Sequence, residues 1–176
     1  MSDVSDIKKR QIREDDSVGQ EVYLAHNSQD AAYRFPPGAR PAGTPLWLGI
    51  RIAGAKAAVG EVRVWKDGEG ERLYPLTASA ARDGACFLGT TILLPSESGL
   101  VWYYFILTVN GETLYYGNNR ERLGGLGETA AEPPPSFQIT VYDQGADTPA
   151  WFRRAVMYQI FPDRFCRAGS VWPEKP

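Results

Sequence analysis

Two tryptophans occupy positions where an aromatic ring could bind a sugar. Trp65 lies on the same predicted strand face as Glu61 and Arg63. Trp47 shares a predicted strand face with Arg51 in the same way. The apolar C–H side of a sugar ring can stack on an indole while its hydroxyls reach polar neighbours. We therefore identify Trp65, and after it Trp47, as candidate carbohydrate-binding residues, although a loop or a neighbouring domain could equally cover either indole.

The other reactive side chains give no catalytic or metal-binding pattern. The spacing of the two cysteines, Cys86 and Cys166, fits no metal site, so we expect two thiols without a metal role. The single histidine, His26, ends a predicted strand and has no cysteine, histidine or carboxylate cluster around it in the sequence. We therefore expect no metal ion and no other cofactor.

The elements that must position the tryptophans are short β-strands. Segments 46–53 and 60–66 alternate apolar and polar residues, as expected for a sheet with one solvent-facing side. Asp67-Gly68 and Asn110-Gly111 predict hairpin turns. Further strand-like segments are 21–26, 31–35, 71–76, 85–94, 100–109, 113–116 and 137–142. This series predicts an all-β fold, an antiparallel immunoglobulin-like β-sandwich.

Two segments depart from simple alternation. Both faces of segment 100–109 are apolar, so Trp102 is predicted to belong to the core. Segment 117–135 is rich in Gly and Pro, and long loops of this kind are often functional or disordered. Its polar residues include Asn118, Asn119 and Arg120.

Composition and charge argue against several classes of partner. The formal net charge is −2, whereas a nucleic-acid surface needs a basic patch, so we expect no nucleic-acid partner. No apolar stretch approaches the roughly 20 residues that span a bilayer, so we expect no membrane partner. Residues 1–20 are polar and mixed in charge, without the apolar core of a signal peptide, which predicts a cytoplasmic protein.

The last part of the sequence carries a specific family resemblance. Its residues are Tyr158, Gln159, Ile160, Phe161, Pro162, Asp163, Arg164 and Phe165. This run resembles the first barrel strand of the α-amylase family of glycoside hydrolases, in particular neopullulanases, cyclomaltodextrinases and maltogenic amylases. Thr148-Pro149-Ala150-Trp151 resembles the lead-in to that strand. The resemblance implies an N-terminal, starch-binding-like β-sandwich in an enzyme that hydrolyses α-1,4 and sometimes α-1,6 links of starch-like oligosaccharides with retention of configuration.

The resemblance also implies a domain organisation. We expect a polar N-terminal segment (1–20), a β-sandwich accessory domain (21–143), a linker (144–150) and the start of a catalytic (β/α)₈ barrel (151–176). A complete barrel takes roughly 250 residues, so we expect the barrel to be truncated here. The catalytic carboxylates of the family lie on later barrel strands. We therefore expect no catalytic residue and no glycosidase activity in this chain.

The opening barrel motif brings no metal site with it. Asp163 belongs to the motif and is expected to be structural. Relatives often continue with an Asn-Gly-Asp type segment that contributes to a calcium site, whereas residues 166–170 contain no carboxylate. Calcium takes several oxygen ligands, so we do not expect a calcium site here.

Two functions remain open at the level of sequence. The first is an accessory domain that binds an α-glucan oligosaccharide beside the catalytic barrel of the same enzyme. The second is a sandwich that serves homodimerisation and shapes the neighbouring active site without binding sugar itself.

Overall fold

The structure, a computed structural model, describes residues 21–82 and 85–161, with side chains except at 79–82. The chain divides into two compact units, Met1–Gln144 and Gly145–Pro176. The described part of the first unit forms twelve strands: β1 (Tyr23–Ala25), β2 (Arg34–Phe35), β3 (Arg40–Pro41), β4 (Pro45–Ala53), β5 (Ala58–Lys66), β6 (Gly70–Pro75), β7 (Thr77–Arg82), β8 (Ala85–Leu93), β9 (Gly99–Val109), β10 (Glu112–Gly117), β11 (Glu128–Ala130) and β12 (Phe137–Tyr142).

The smaller sheet is built around β4. This strand pairs with β8 over its whole length, and β8 pairs in turn with β7. The short strands β1 and β2 both pair with the other side of β4. The alternation predicted for β4 is present, since Trp47 and Arg51 lie on the outer face. The inward residues of β4 are fully buried: Leu46, Leu48, Ile50 and Ile52.

The larger sheet is built around β9. β5 pairs along one side of β9 and continues to β6, while β10 and β12 share the other side. β11 extends the sheet beyond β10, and β3 extends it beyond β12. The hairpin predicted between β9 and β10 is formed. Asn110 and Gly111 take φ values of 51° and 92°, the left-handed conformation that a tight hairpin turn requires.

One hydrophobic core fills the space between the two sheets. The inward side chains of β4 and β8 meet those of β5, β9 and β12. Its largest side chains come from the larger sheet, where Tyr103 stacks on Phe137 with ring centroids 5.2 Å apart. Tyr103, Phe105 and Phe137 are fully buried. The two-sheet β-sandwich predicted from the sequence is therefore confirmed.

Three details of the predicted strand map are wrong. Segment 31–35 is mostly turn, because the Asp30 carboxylate accepts a hydrogen bond from the backbone N–H of Ala32 at 2.9 Å and closes a turn before β2. Strands β3, β7 and β11 were not predicted. The larger sheet is also not purely antiparallel, since β3 runs parallel to β12.

The described part of the second unit contains one short helix, α1 (Ala150–Arg154), and Arg153 forms an ion pair with Asp147 at 3.1 Å. Residues 155–161 form neither helix nor strand, so the predicted barrel strand is not confirmed. The motif residues Tyr158, Gln159 and Phe161 are exposed. The remaining residues predicted here lie outside the described part of the chain: Pro162, Asp163, Arg164, Phe165 and Cys166.

Candidate functional site

Trp65 and Trp102 lie directly opposite each other on the paired strands β5 and β9. Both indoles are half-buried on the outer face of the larger sheet, because inward and outward residues alternate along each strand. The prediction that Trp102 belongs to the core is therefore wrong. The outer face of β9 is apolar because it carries this aromatic surface, and only the inner face belongs to the core.

The two tryptophans stand between two open cavities. One, of about 850 Å³, lies toward the β5–β6 turn and the 96–100 loop, with Asp67 and Glu97 among its polar lining residues. The other, of about 500 Å³, lies where β10 and β12 separate on the far side of β9. Both cavities are lined by Trp65 and Trp102. The two indoles thus form an aromatic ridge, and this ridge is one wall of each of the two cavities.

Arg63 lines the cavity of about 500 Å³, where two contacts hold its side chain. Its Nε donates to Glu71 Oε2 at 2.6 Å, and its guanidinium lies 5.3 Å from the centre of the Tyr104 ring. Tyr104 in turn meets Tyr115 edge to face, with centroids 6.2 Å apart. Burial raises the pKa of Tyr104, so its hydroxyl stays neutral at ordinary pH. This row of contacts links the strands β6, β5, β9 and β10 beside the tryptophans.

The loop after β10 supplies the opposite wall. The side chain of Asn118 is buried and organises this loop: its Oδ1 accepts from the backbone N–H groups of Asn119 and Gly124, both at 3.0 Å. Its Nδ2 donates to the carbonyl of Ser136 at 3.3 Å. Arg122, within this loop, has a φ of 58°, which is unusual for a residue other than glycine. The Gly- and Pro-rich segment 117–135 is therefore held by defined hydrogen bonds at its start and includes β11.

A third cavity of about 440 Å³ adjoins the second. It is lined by Ser28, Gln29 and Arg34, and it shares Asn118, Arg122 and Gln138 with the cavity beside the tryptophans. Arg34 forms part of its wall, with Nη1 donating to the carbonyl of Gln138 at 3.0 Å and Nη2 to that of Gly38 at 2.9 Å. Sequence reasoning missed Gln138 and Arg122. The alternation of 137–142 places Gln138 outward, whereas no local signal marks Arg122.

Trp47 lies on the other sheet, away from this site. Its indole lies over Gly49 and Gly89, which face each other on β4 and β8. A Cβ atom at Gly89 would come within 2.8–2.9 Å of the indole. Trp47 also stacks beside Phe87, with centroids 6.1 Å apart and an angle of 16° between the rings. The two glycines therefore leave room for the indole, and we call this glycine pair the seat of Trp47. The structure does not bring Trp47 together with Trp65.

His26 is a fully buried structural residue. Its Nδ1 donates to the carbonyl of Gly49 at 2.7 Å, which leaves Nε2 to accept the hydroxyl proton of Tyr103 at 2.9 Å. Burial lowers the pKa of His26 from 6.5 to about 4, because the charged imidazolium cannot be hydrated there. The hydrogen bonds join β4 of one sheet to β9 of the other through a neutral imidazole.

No group of His, Cys, Asp and Glu side chains among the described residues could hold a metal ion. The described cysteine, Cys86, is a half-buried free thiol. No helix in the described ranges is long and apolar enough to cross a membrane.

Comparison with known proteins places the chain beside amylopullulanases. It is 36% identical over 149 residues to an amylopullulanase of Thermoanaerobacter thermohydrosulfuricus, which covers 84% of this chain and 10% of the relative. It is 37% identical over 144 residues to that of Thermoanaerobacterium saccharolyticum, covering 81% of this chain and 11% of the relative. The chain thus spans about a tenth of the length of these curated relatives. No family model matches it.

Among solved structures, a cyclomaltodextrinase superposes on 80% of this chain and 23% of its own with a TM-score of 0.47 and 20% identity. The described residues form a β-sandwich, and the sequence of the chain is related to one segment of the amylopullulanases. The relationship predicted from the sequence is confirmed: the chain is homologous to one segment of the amylopullulanases.

Proposed function

We propose that the first unit is a carbohydrate-binding accessory domain of an α-glucan-degrading glycoside hydrolase, and that Trp65 and Trp102 are its stacking surface. The observation that carries this proposal is the shared ridge: two half-buried indoles, opposite each other on paired strands, stand between two cavities whose walls combine polar and apolar groups. Stacking on the ridge leaves the sugar hydroxyls free to reach the cavity walls on either side.

The construction of the ridge suits a weakly charged, hydroxyl-rich ligand. Strand pairing sets the backbone of the two tryptophans opposite each other before the ligand arrives, so no backbone rearrangement is needed to assemble the ridge. Gln138 and Ser136 supply neutral donors and acceptors in the cavity of about 500 Å³. Pyranose rings present an apolar face and a polar rim, which match these two kinds of surface.

Hydrolysis belongs, in this proposal, to a catalytic domain of the parent enzyme. Retaining hydrolysis needs two carboxyl groups roughly 5–5.5 Å apart, one as nucleophile and one as acid and base. Tethering a binding module to that domain raises the local concentration of glucan at the active site. We propose 21–143 as the accessory domain of immunoglobulin-like shape, 144–150 as the linker and 151–176 as the start of the barrel.

The alternative is an interface module that dimerises and shapes a neighbouring active site. Exposed apolar side chains on the outer faces favour it, since Leu73 is 48% exposed and Leu93 is 65% exposed. For Trp47, the second candidate from the sequence, we propose a packing role on its two glycines and no place on the ridge. A cytoplasmic location remains a prediction.

Binding is tested with the whole chain of 176 residues. Maltoheptaose is titrated while tryptophan fluorescence and backbone NMR shifts are followed, with Trp65→Ala and Trp102→Ala as test variants and Trp151→Ala as the matched control. Saturable shifts around Trp65 and Trp102 that disappear in the two test variants support the proposal. If saturating sugar moves no signal near the ridge, carbohydrate binding is wrong, and sedimentation equilibrium then tests the interface alternative.

A further inference from the structure

The three cavities on the outer face of the larger sheet are neighbours, because each shares lining residues with the next. The first and second share Trp65 and Trp102, and the second and third share Asn118, Arg122 and Gln138. The series begins at the β5–β6 turn, crosses the tryptophan ridge, passes Arg122 and ends at Arg34. Accepting the proposed carbohydrate binding, we propose that this series is a track for a linear oligosaccharide, and that Arg122 is the polar contact at the junction of its second and third cavities.

The length of the track exceeds a single sugar ring. Arg63, in the second cavity, lies opposite Tyr104 on β9, and Gly99, in the first cavity, lies five residues earlier on the same strand. Five residues of strand span roughly 17 Å. This distance covers only the first two cavities, and the third lies beyond it. A ligand that fills the track is therefore an extended chain of several rings.

The side chains that line the track differ in charge from one cavity to the next. Three acidic side chains line the first cavity, Asp67, Glu69 and Glu97, against one basic side chain, Lys66, which pairs with Glu69 at 2.6 Å. The second and third cavities contain no carboxylate side chain among the described residues; they offer amides, hydroxyls and arginines. Neutral hydroxyl groups can hydrogen-bond to both kinds of lining, whereas a polyanion would be repelled at the first cavity. A neutral oligosaccharide therefore fits the whole series.

Arg122 is held in place by its loop. Its backbone N–H donates to the carbonyl of Asn119 at 3.0 Å, and Asn119 Nδ2 donates to the carbonyl of Gly124 at 3.0 Å. The buried Asn118 fixes the same loop, so Asn118 acts as a positioning residue. Residues in sparsely populated backbone conformations concentrate at binding sites, because surrounding contacts must hold them. No described acidic side chain forms an ion pair with Arg122, which leaves its donors available to hydroxyls.

The test compares ligands of different length and shape by calorimetry. Maltose reaches only the ridge, maltoheptaose can follow the track, and β-cyclodextrin has as many glucose units as maltoheptaose but cannot extend. We expect maltoheptaose to bind at least about tenfold more tightly than either maltose or β-cyclodextrin. We also expect maltoheptaose, but not maltose, to shift the amide signals of Ser28, Gln29 and Gly124.

The variant Arg122→Asn keeps a residue that tolerates the left-handed conformation, and Arg120→Asn in the same loop is its control. We expect Arg122→Asn to weaken maltoheptaose about tenfold and to change maltose less than about twofold, while Arg120→Asn changes neither. Equal weakening of both sugars, or equal affinity for maltoheptaose and β-cyclodextrin, would overturn the track and leave the ridge as the binding site. Failure of every sugar to bind would overturn the proposed function itself. Should Arg122→Asn not fold, the amide shifts of the unmodified chain decide between these outcomes.

Discussion

Trp65 and Trp102 are cross-strand neighbours, and their indoles lie together on the outer face of the larger sheet. Within its own strand, each tryptophan is an ordinary outward-facing residue. The surface exists only because β5 and β9 pair in a register that sets position 65 against position 102. Register is therefore the structural property on which the proposed binding surface depends.

The ridge predicts that the two indoles act as one binding surface. Trp65→Ala and Trp102→Ala should each weaken maltoheptaose at least about tenfold, and the double variant should lose less than the sum, because each indole supports the same ligand. Each single change should cost less than about 2 kcal/mol of unfolding free energy, since both indoles are only half-buried. Calorimetry and urea unfolding measure the two effects. Strictly additive losses would show that the indoles bind separately.

Trp47 should behave in the opposite way. Trp47→Ala should lower the free energy of unfolding by about 1–3 kcal/mol and leave maltoheptaose affinity unchanged, because the half-buried indole packs over Gly49 and Gly89, away from the ridge. Gly89→Ala should also destabilise, since the added methyl group meets the indole ring. Thermal unfolding and calorimetry check both variants against Trp151→Ala, which alters an exposed tryptophan. Lost sugar affinity in Trp47→Ala would return Trp47 to the binding site.

Because His26 is buried as a neutral imidazole, we expect the folded protein to become less stable in mild acid. The unfolded chain binds a proton at this imidazole below a pH near 6.5, whereas the folded chain binds it only near pH 4. Between these values the unfolded state holds more protons, so stability is complete at neutral pH and declines as the pH falls. We expect a loss of about 2 kcal/mol between pH 7.5 and pH 5 from this group. Urea unfolding at several pH values measures it, and an imidazole that titrates near pH 6.5 by NMR would contradict it.

The sandwich should be stable without the second unit. The buried hydrophobic residues of the described chain all lie between Leu24 and Val141, within the first unit. Ending the chain after Gln144 should therefore shift the melting temperature by less than about 3 °C. Differential scanning calorimetry of the shortened and full chains provides the comparison. A much larger drop would mean that residues beyond 144 contribute to the fold of the sandwich.

The alternation of apolar and polar residues predicted the strands that have one buried and one solvent-facing side, such as β4, β5 and β12. It missed β7, because Thr77–Arg82 is made of small and polar residues whose pairing depends on β8. It also placed Trp102 in the core, because an aromatic outer face and a buried face look alike in a sequence. The approach of Arg122 to Gln138 depends on how the loop after β10 returns to β12, which no local pattern encodes.

The seat of Trp47 also has an evolutionary consequence. The indole fits only because two hydrogen atoms, at Gly49 and Gly89, stand where side chains would otherwise be. A side chain acquired at position 89 would displace the indole, and a smaller residue at position 47 would relieve the clash. Positions 47, 49 and 89 are therefore expected to change as a linked set among homologues, although they lie on two different strands.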